Sequence, residues 1–274
     1  MAMKGFSTKL KLWAKLKSKS MGHLLTAEPH PEKWVFIVGC YNSGTTLLHN
    51  LLASHPDIGS MPNEGQFYSS QLPRGADFDL PRLWALKPEL FYLDESTVTK
   101  IDSKKLRREW GYFYNHPKRK ILIEKTILNA ARTRWLQANF PNAYFISLFR
   151  NGYAVSEGIH RKEKHSMEKA ATQWSVSNEI LLNDIPYLKN HFQIKYEDLV
   201  LDPVVTMKKV TGFLSIDDIN DSVFRKSFQI HKVNAEIKDM NQESVARLNN
   251  AQIEIINHIA GKVMERLNYP LLKS

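Results

Sequence analysis

Two glycines and a hydroxyl residue near position 40 stand at the spacing of a phosphate-binding loop. Gly39 and Gly44 are separated by four residues, and Thr46 takes the hydroxyl position of the pattern G-x-x-x-x-G-K-[ST]. Backbone N–H groups in such a loop, together with the N-terminus of the helix that follows, converge on one anion. The segment therefore predicts a site for a phosphate-like group.

The position before Thr46 departs from this pattern, because Thr45 stands where lysine is expected. In kinases and NTPases this lysine reaches the β- and γ-phosphates, while Mg²⁺ neutralises the remaining charge. The sequence also shows no acidic magnesium site after an apolar strand. A loop without these parts suits a donor whose transferred group carries less charge, such as the sulfuryl group of a phosphosulfate.

Two cationic residues follow further apolar segments. Lys125 lies near the end of ILIEKT (121–126), and Arg150 directly follows AYFISLF (143–149). A guanidinium at a strand end can hold a phosphate through two parallel hydrogen bonds. If both segments are strands of one parallel sheet, their carboxyl ends lie at the same edge as the glycine loop. We therefore expect Lys125 at the mouth of the loop and Arg150 on a phosphate.

Strands and helices alternate along the chain around these residues. The apolar run WVFIVG (34–39) predicts a buried strand, and TTLLHNLLASH (45–55) has leucines at helical spacing. Further strands are predicted at 121–126, at 143–149 and within 192–199, and further helices at 129–140, after 150, and at 167–190, 203–216 and 241–268. This alternation predicts an α/β fold with a P-loop-like central parallel sheet and helices on both faces.

The bulk composition indicates one globular domain. The chain has 274 residues, of which 43% are hydrophobic, and this is enough for one large domain with a substantial core. We assign residues 31–274 to this domain, and within it 60–118, rich in prolines and aromatics, to an irregular substrate or lid region. The one cysteine excludes a disulfide framework and a cysteine-rich zinc site.

The net charge of +10 favours anionic partners. Because the lysines are spread out and no recognition motif is found, we expect no specific nucleic-acid partner. Residues 1–30 form a basic lead-in, for which we predict a surface helix, with weak contact to an anionic membrane surface as the alternative. No apolar run approaches the ~20 residues of a membrane span, and we expect a cytoplasmic location.

Several separated segments resemble, in their order, the sulfotransferases that use 3′-phosphoadenylyl sulfate (PAPS). YNSGTTLL (41–48) is similar to the family's 5′-phosphosulfate loop, and FISLFRNGYAVSEGIHRK (145–162) to its 3′-phosphate segment. YEDLVLDPVVTMKKVTGFLSI (196–216) resembles a stretch common after that segment. SGTTLLHNLLASHPDIGSMPNEG (43–65) is most similar to the tyrosylprotein and bacterial branches.

The resemblance implies a role for each matching residue. Lys125 would stabilise the departing phosphate oxygen, and Glu64 would take the proton from the acceptor. The loop at 42–47 would hold the 5′ group of the donor, and Arg150 its 3′-phosphate. The predicted cofactor-binding residues are Asn42, Ser43, Gly44, Thr45, Thr46, Leu47, Arg150, Gly158 and Tyr196.

Two positions depart from the family pattern. Asn42 stands where a cation is usual, and Gly158 stands where a serine normally assists the arginine. Lys125 is the predicted replacement for the cation missing at position 42. Arg161 and Lys162 are candidates to strengthen the grip on the 3′-phosphate.

Ordinary structural roles remain as alternatives for some of these residues. Glu64 could be a polar turn residue, with His55 as another base, although His55 is expected to cap or pack the end of a helix. Tyr196 could be a packed strand residue. Trp174 could flank the adenine, but a place in the core is favoured.

The sequence therefore predicts an enzyme that moves a sulfuryl group from PAPS to a hydroxyl or amine, releasing adenosine 3′,5′-bisphosphate (PAP). We expect a small-molecule acceptor and no metal. The alternatives are a P-loop kinase acting on a small molecule, and an inactive module that binds a nucleotide or polyanion. The sequence does not indicate an oligomeric state.

Overall fold

A five-stranded parallel sheet forms the centre of the protein. The computed structural model describes residues 27–225, 228–230, 233–235 and 237–273, so most of the predicted basic lead-in lies outside the described residues. The strands are β1 (Lys33–Gly39), β2 (Ile58–Ser60), β3 (Ile121–Glu124), β4 (Ala143–Phe149) and β5 (His191–Lys195). They lie in the order β2-β3-β1-β4-β5, and each neighbouring pair is parallel. A short antiparallel pair, β6 (Phe228–Ile230) and β7 (Val233–Ala235), forms a second sheet.

Side chains of the central strand β1 alternate between two cores. Trp34, Phe36 and Val38 pack into an aromatic-rich core on one face of the sheet. Val35 and Ile37 pack into an aliphatic core on the other face. All five side chains are fully buried. A strand that is apolar on both faces is typical of a parallel sheet covered by helices.

Helices cover both faces of this sheet. The α-helices among the described residues are α1 (Thr45–Ala53), α2 (Ser103–Phe113), α3 (Thr133–Asn139), α4 (Gly152–Glu163), α5 (Met167–Asp184), α6 (Tyr196–Leu201), α7 (Pro203–Leu214), α8 (Asn241–Val245) and α9 (Asn250–Arg266). Helices α2, α4, α5 and α9 pack on the aromatic core, whereas α1, α6 and α7 pack on the aliphatic core. None of these described helices is both long and apolar enough to cross a bilayer. The predicted α/β fold class is confirmed, while the domain boundary at residue 31 stays a prediction.

Several elements differ from the sequence-based expectation, among them α6, β6 and β7, which the sequence does not predict. The sequence does not predict β2, whose three residues are too few to show a pattern. The helix predicted at 129–140 is a 3-10 turn, Ile127–Ala131, followed by the shorter α3. The helix predicted at 241–268 is divided into α8 and α9, because the Asn249 side chain accepts the N–H of Gln252 and begins a new helix.

The predicted substrate or lid region, 60–118, is irregular but well packed. It contains 3-10 turns at Gly65–Phe67, Gly75–Phe78, Trp84–Leu86 and Pro88–Leu90, followed by α2. Leu72, Leu83 and Trp110 anchor it because their buried side chains join the aromatic core. These anchors let the region form one wall of the cleft described below. Its role in substrate binding stays a prediction.

Candidate active site

A cleft of about 860 Å³ opens at the carboxyl edge of the central strands. Its lining includes the loop after β1, Lys125 after β3, Arg150 after β4 and Tyr196 after β5. Glu64, from the irregular region, completes one wall. In parallel α/β sheets, ligands bind beyond this edge of the strands, so the cleft is the candidate active site.

The loop between β1 and α1 bends sharply at two residues. Asn42 and Gly44 have φ values of 60° and 93°, both in the left-handed region. A side chain at position 44 would place its Cβ only 2.6 Å from the Tyr196 ring, so this position needs glycine for space as well as for φ. Gly44 is the N-cap of α1 and supplies no capping side chain. The first N–H groups of α1 therefore have no acceptor within the helix and are suited to an anion.

Arg150 faces this loop across the cleft. Its Nη1 donates to the Asn42 carbonyl at 2.6 Å, and its Nε donates to Asn241 Oδ1 at 2.8 Å. The guanidinium lies over the Tyr196 ring, 4.0 Å from the centroid. Burial lowers the pKa of Arg150. The loop and the arginine therefore belong to one site, with the guanidinium held in a defined orientation.

The backbone of Arg150 is also held from behind. Trp174 is fully buried, and its indole Nε1 donates to the Arg150 carbonyl at 3.0 Å. Trp174 is thus a core residue, as favoured from the sequence, and it supports Arg150 from α5. His55 likewise has a structural place, because its Nδ1 accepts the N–H of Asp57 at 3.1 Å just after α1.

The two residues that depart from the family pattern lie against each other. A Cβ at Gly158 would be 3.2 Å from Asn42 Nδ2, so the short glycine leaves room for the Asn42 amide. Lys162, one turn further along α4, places its Nζ 3.4 Å from Asn42 Oδ1 and lines the cleft. Arg161 does not line the cleft and instead pairs with Glu157 at 2.6 Å. Of the two candidate supporting cations, Lys162 is the one placed near the loop.

Two predicted cofactor-binding residues do not line the cleft. Gly158 is covered by Asn42, and Ser43 is fully buried behind the loop. The remaining predicted residues all contribute to the lining: Asn42, Gly44, Thr45, Thr46, Leu47, Arg150 and Tyr196. The cofactor-binding roles of all nine stay predictions.

Lys125 and Glu64 form an ion pair at the mouth of the loop. Lys125 Nζ lies 3.4 Å from Glu64 Oε1 and 3.5 Å from Thr46 Oγ1. The side chains are only 11% and 14% exposed, which keeps the pair largely shielded from bulk water. The second carboxylate oxygen, Glu64 Oε2, accepts a hydrogen bond from Gln66 Nε2 at 2.5 Å. A carboxylate and an ammonium group are thereby held side by side next to the loop.

His49 also lines the cleft, although the sequence did not single it out. It lies on α1 one turn after Thr45, on the face that continues the loop. Burial, with a further contribution from the positive charge of Lys125, lowers the pKa of His49 to about 4. The imidazole is therefore neutral at neutral pH. Its position four residues after a loop threonine is the one signal in the sequence that could have indicated it.

A buried carboxyl group lies directly before Lys125 in the chain, behind the lining of the cleft. Glu124, the last residue of β3, is 1% exposed, and its Oε1 accepts the N–H of Gly65 at 2.7 Å. Burial raises the pKa of the Glu124 carboxyl to about 7, while hydrogen bonds from Thr126 and Gly65 act in the opposite direction. The sequence signal for Glu124 is a charged residue within an apolar strand.

The described residues hold no group of three or more His, Cys, Asp or Glu side chains arranged for a metal ion. The fold and the loop together define a P-loop-like α/β protein, and the start of α1 is its candidate anion site. Residues 35–221 match the model of the Sulfotransferase family, so the chain belongs to this family.

Comparisons with individual proteins agree with this assignment. The chain is 27% identical to protein-tyrosine sulfotransferase A of Caenorhabditis elegans over 199 residues, which are 67% of this chain and 50% of the relative. It thus spans about half the length of that relative. Its fold is similar to the sulfotransferase domain from the curacin biosynthetic pathway, with a TM-score of 0.56, 20% identity, and coverage of 89% of this chain and 100% of that one. A mouse sulfotransferase, SULT7A1, complexed with PAP, has a TM-score of 0.50 and 18% identity, covering 88% of this chain and 86% of that one.

Replacing Gly44 by alanine is expected to damage the loop. The new residue is strained at a φ of 93°, and its Cβ meets the Tyr196 ring, so we expect a destabilisation of about 1–3 kcal/mol. The control is Gly212→Ala, which lies in α7 and whose Cβ meets nothing within 4 Å, so it should be neutral or stabilising. Denaturant unfolding measures both changes. A Gly44→Ala protein as stable as the wild type would contradict the loop geometry.

The buried Glu124 is expected to make stability depend on pH. Because its pKa is raised from 4.5 in the unfolded chain to about 7 in the folded protein, the folded state binds the proton more tightly. Relative to Glu124→Gln, the wild type should therefore lose roughly 3 kcal/mol as the pH rises from 4.5 to about 7, and no more above it. Urea unfolding of both proteins across this range measures the difference. A difference that is constant with pH would show that the carboxyl is not perturbed.

Proposed function

We propose that this protein transfers a sulfuryl group from PAPS to an acceptor hydroxyl or amine and releases PAP. The observation that carries the proposal is one cleft shared by the loop at α1, Arg150 and the Lys125–Glu64 pair. Membership of the Sulfotransferase family supports it, as does the fold similarity to a mouse sulfotransferase complexed with PAP.

The donor is held at its two charged ends. The N–H groups at the start of α1 and the hydroxyls of Thr45 and Thr46 bind the 5′-phosphosulfate. Arg150, fixed by Asn42, Asn241 and Tyr196, binds the 3′-phosphate. Lys162 supplies positive charge near Asn42, where the loop itself has none.

The transfer step uses the ion pair at the mouth of the loop. The Glu64 carboxylate accepts the acceptor proton while the acceptor oxygen or nitrogen forms a bond to sulfur. The bond between sulfur and the bridging phosphate oxygen breaks, and its electron pair leaves with PAP. The Lys125 ammonium, 3.5 Å from Thr46 Oγ1, stabilises the charge that develops on that oxygen. Catalysis then depends on positioning and preorganised charge rather than on a covalent intermediate.

We propose a small-molecule acceptor. The cleft of about 860 Å³ has to hold the donor as well, so only a compact acceptor group enters it. Phe67 and Ile127 give part of the wall an apolar surface for such a group. A protein tyrosine is the second candidate, favoured by the 27% identity to a protein-tyrosine sulfotransferase. Incubation with radiolabelled PAPS and a panel of phenols, alcohols, amines and tyrosine peptides, with product masses measured, distinguishes these acceptors.

Two alternative functions give different results in the same assay. A kinase would turn over ATP with magnesium, which the family match and Thr45 in place of the loop lysine disfavour. An inactive binding module would bind PAP tightly and transfer nothing to any acceptor of the panel. The cytoplasmic location stays a prediction.

Arg150→Ala is expected to weaken PAP binding roughly 100-fold, because the charged hydrogen bonds to the 3′-phosphate are lost. Binding of adenosine 5′-phosphosulfate, which has no 3′-phosphate, should change much less. Isothermal titration calorimetry with both ligands measures the difference. Arg161→Ala, whose side chain pairs with Glu157 instead of lining the cleft, is the matched control. Equal weakening of both ligands by Arg150→Ala would contradict its proposed role.

Lys125→Ala is expected to lower kcat by about 10²–10³-fold, because the charge on the leaving oxygen is no longer stabilised. PAP affinity should change far less, since the phosphates are held mainly by the loop and Arg150. Single-turnover transfer and calorimetry measure the two quantities separately. Lys120→Ala, an exposed lysine at the other end of β3, is the control. Turnover near the wild-type value would remove Lys125 from the mechanism.

A further inference from the structure

We propose that Glu124 is a positioning residue that holds the base Glu64 against Lys125. The inference rests on the proposed function, because it concerns how the groups of that site are placed. Glu124 does not line the cleft and would touch neither donor nor acceptor. It acts through the backbone of the residue that follows Glu64.

The Glu124 carboxylate is bonded on both oxygens. Oε1 accepts the Gly65 N–H at 2.7 Å and also the Thr126 hydroxyl. Oε2 accepts the Thr126 N–H at 3.1 Å and also the Asn129 side-chain amide. Four donors around this buried carboxylate offset part of the cost of removing it from water. The bond to Gly65 is the only one of these that reaches out of the segment after β3.

Gly65 is clamped from both sides. Its N–H is bound by Glu124, and its carbonyl accepts the Trp110 indole N–H at 3.0 Å. A Cβ at this position would lie 2.7 Å from the Trp110 ring and 2.9 Å from Glu124 Oε1, so the peptide fits closely between them. The next N–H, of Gln66, donates to Thr126 Oγ1 at 3.3 Å. The backbone directly after Glu64 therefore has a defined position relative to β3.

The end of β3 thereby positions both the base Glu64 and the cation Lys125. Successive side chains of a strand point in opposite directions. Glu124 turns into the aromatic side of the protein and binds the Gly65 backbone, whereas Lys125 enters the cleft and contacts the Glu64 carboxylate at 3.4 Å. β3 is itself fixed by its parallel pairing with β1, in which Phe36 is opposite Glu124. Loss of the Glu124 contact would free residue 64 while leaving the loop and Arg150 in place.

The test compares Glu124→Gln with Asp184→Asn. Glutamine keeps the size of Glu124 but replaces one accepting oxygen by an NH₂ donor. The hydrogen bonds accepted by that oxygen are therefore lost. Asp184 is a matched control because it is also buried and accepts hydrogen bonds, from Tyr92 and Thr133 at 2.9 and 2.8 Å, without lining the cleft. Melting temperatures of both variants show how far each loses stability.

We expect Glu124→Gln to lower kcat by about 10–100-fold, because a small displacement of the base is costly, with the PAP dissociation constant within about twofold of the wild type. Asp184→Asn should leave both constants nearly unchanged. Trp110→Phe, which removes the hydrogen bond to the Gly65 carbonyl, should also lower kcat. In the double variant, kcat should fall by less than the product of the two single-variant fold changes, because both residues hold the same peptide. If Glu124→Gln does not fold, the kcat and PAP affinity of Trp110→Phe provide the test.

Hydrogen exchange gives a readout independent of activity. Glu124→Gln should accelerate amide exchange in peptides that cover 62–68 and leave those covering 40–48 unchanged. If the wild type transfers no sulfuryl group, the proposed function fails and the exchange result alone decides the placement. Unchanged kcat in Glu124→Gln with an active wild type, unchanged exchange at 62–68, or a parallel loss of kcat and PAP affinity would each overturn the proposal.

Discussion

The hydrogen bond from the Arg150 guanidinium to the Asn42 carbonyl joins the two halves of the candidate site. These residues are 108 positions apart in the chain and meet because β1 and β4 are neighbouring parallel strands. Gly39 is opposite Leu148 in that pair, so both strands end at the same level. Tyr196, the first residue after β5, contacts the guanidinium with its ring and packs against Gly44. The order and register of the sheet therefore decide which side chains share the cleft.

Several positively charged side chains line the cleft. Burial lowers the pKa of Arg150, and burial together with neighbouring arginines lowers that of Lys162. Holding cations close together in a partly buried site costs free energy that an anionic ligand recovers. Glu64 is the carboxylate among the lining residues, and it is paired with Lys125. This distribution suits a donor with anionic groups at both ends, and Glu64 is the one carboxylate among the described residues that line the cleft.

The parts of the site that follow strands could be predicted from the sequence. The apolar run before Gly39 and the segments before Lys125 and Arg150 indicate strand ends, and strand ends of a parallel sheet meet at one edge. Residues whose placement depends on distant packing could not be predicted. His49 looks like any polar helix residue, and the contact between Glu124 and Gly65 exists only because Trp110 anchors the irregular region. Ser43 and Gly158 were also predicted to bind the cofactor, yet the loop conformation and the Asn42 side chain keep them out of the lining.

In the proposed function, the start of α1 and Arg150 bind opposite ends of one nucleotide. A crystal structure of the protein with PAP tests it most directly. We expect the 5′-phosphate within hydrogen-bond distance of the N–H groups of residues 44–46, and the 3′-phosphate hydrogen-bonded to the Arg150 guanidinium. PAP bound elsewhere, or bound in the cleft with neither phosphate at these positions, would contradict it.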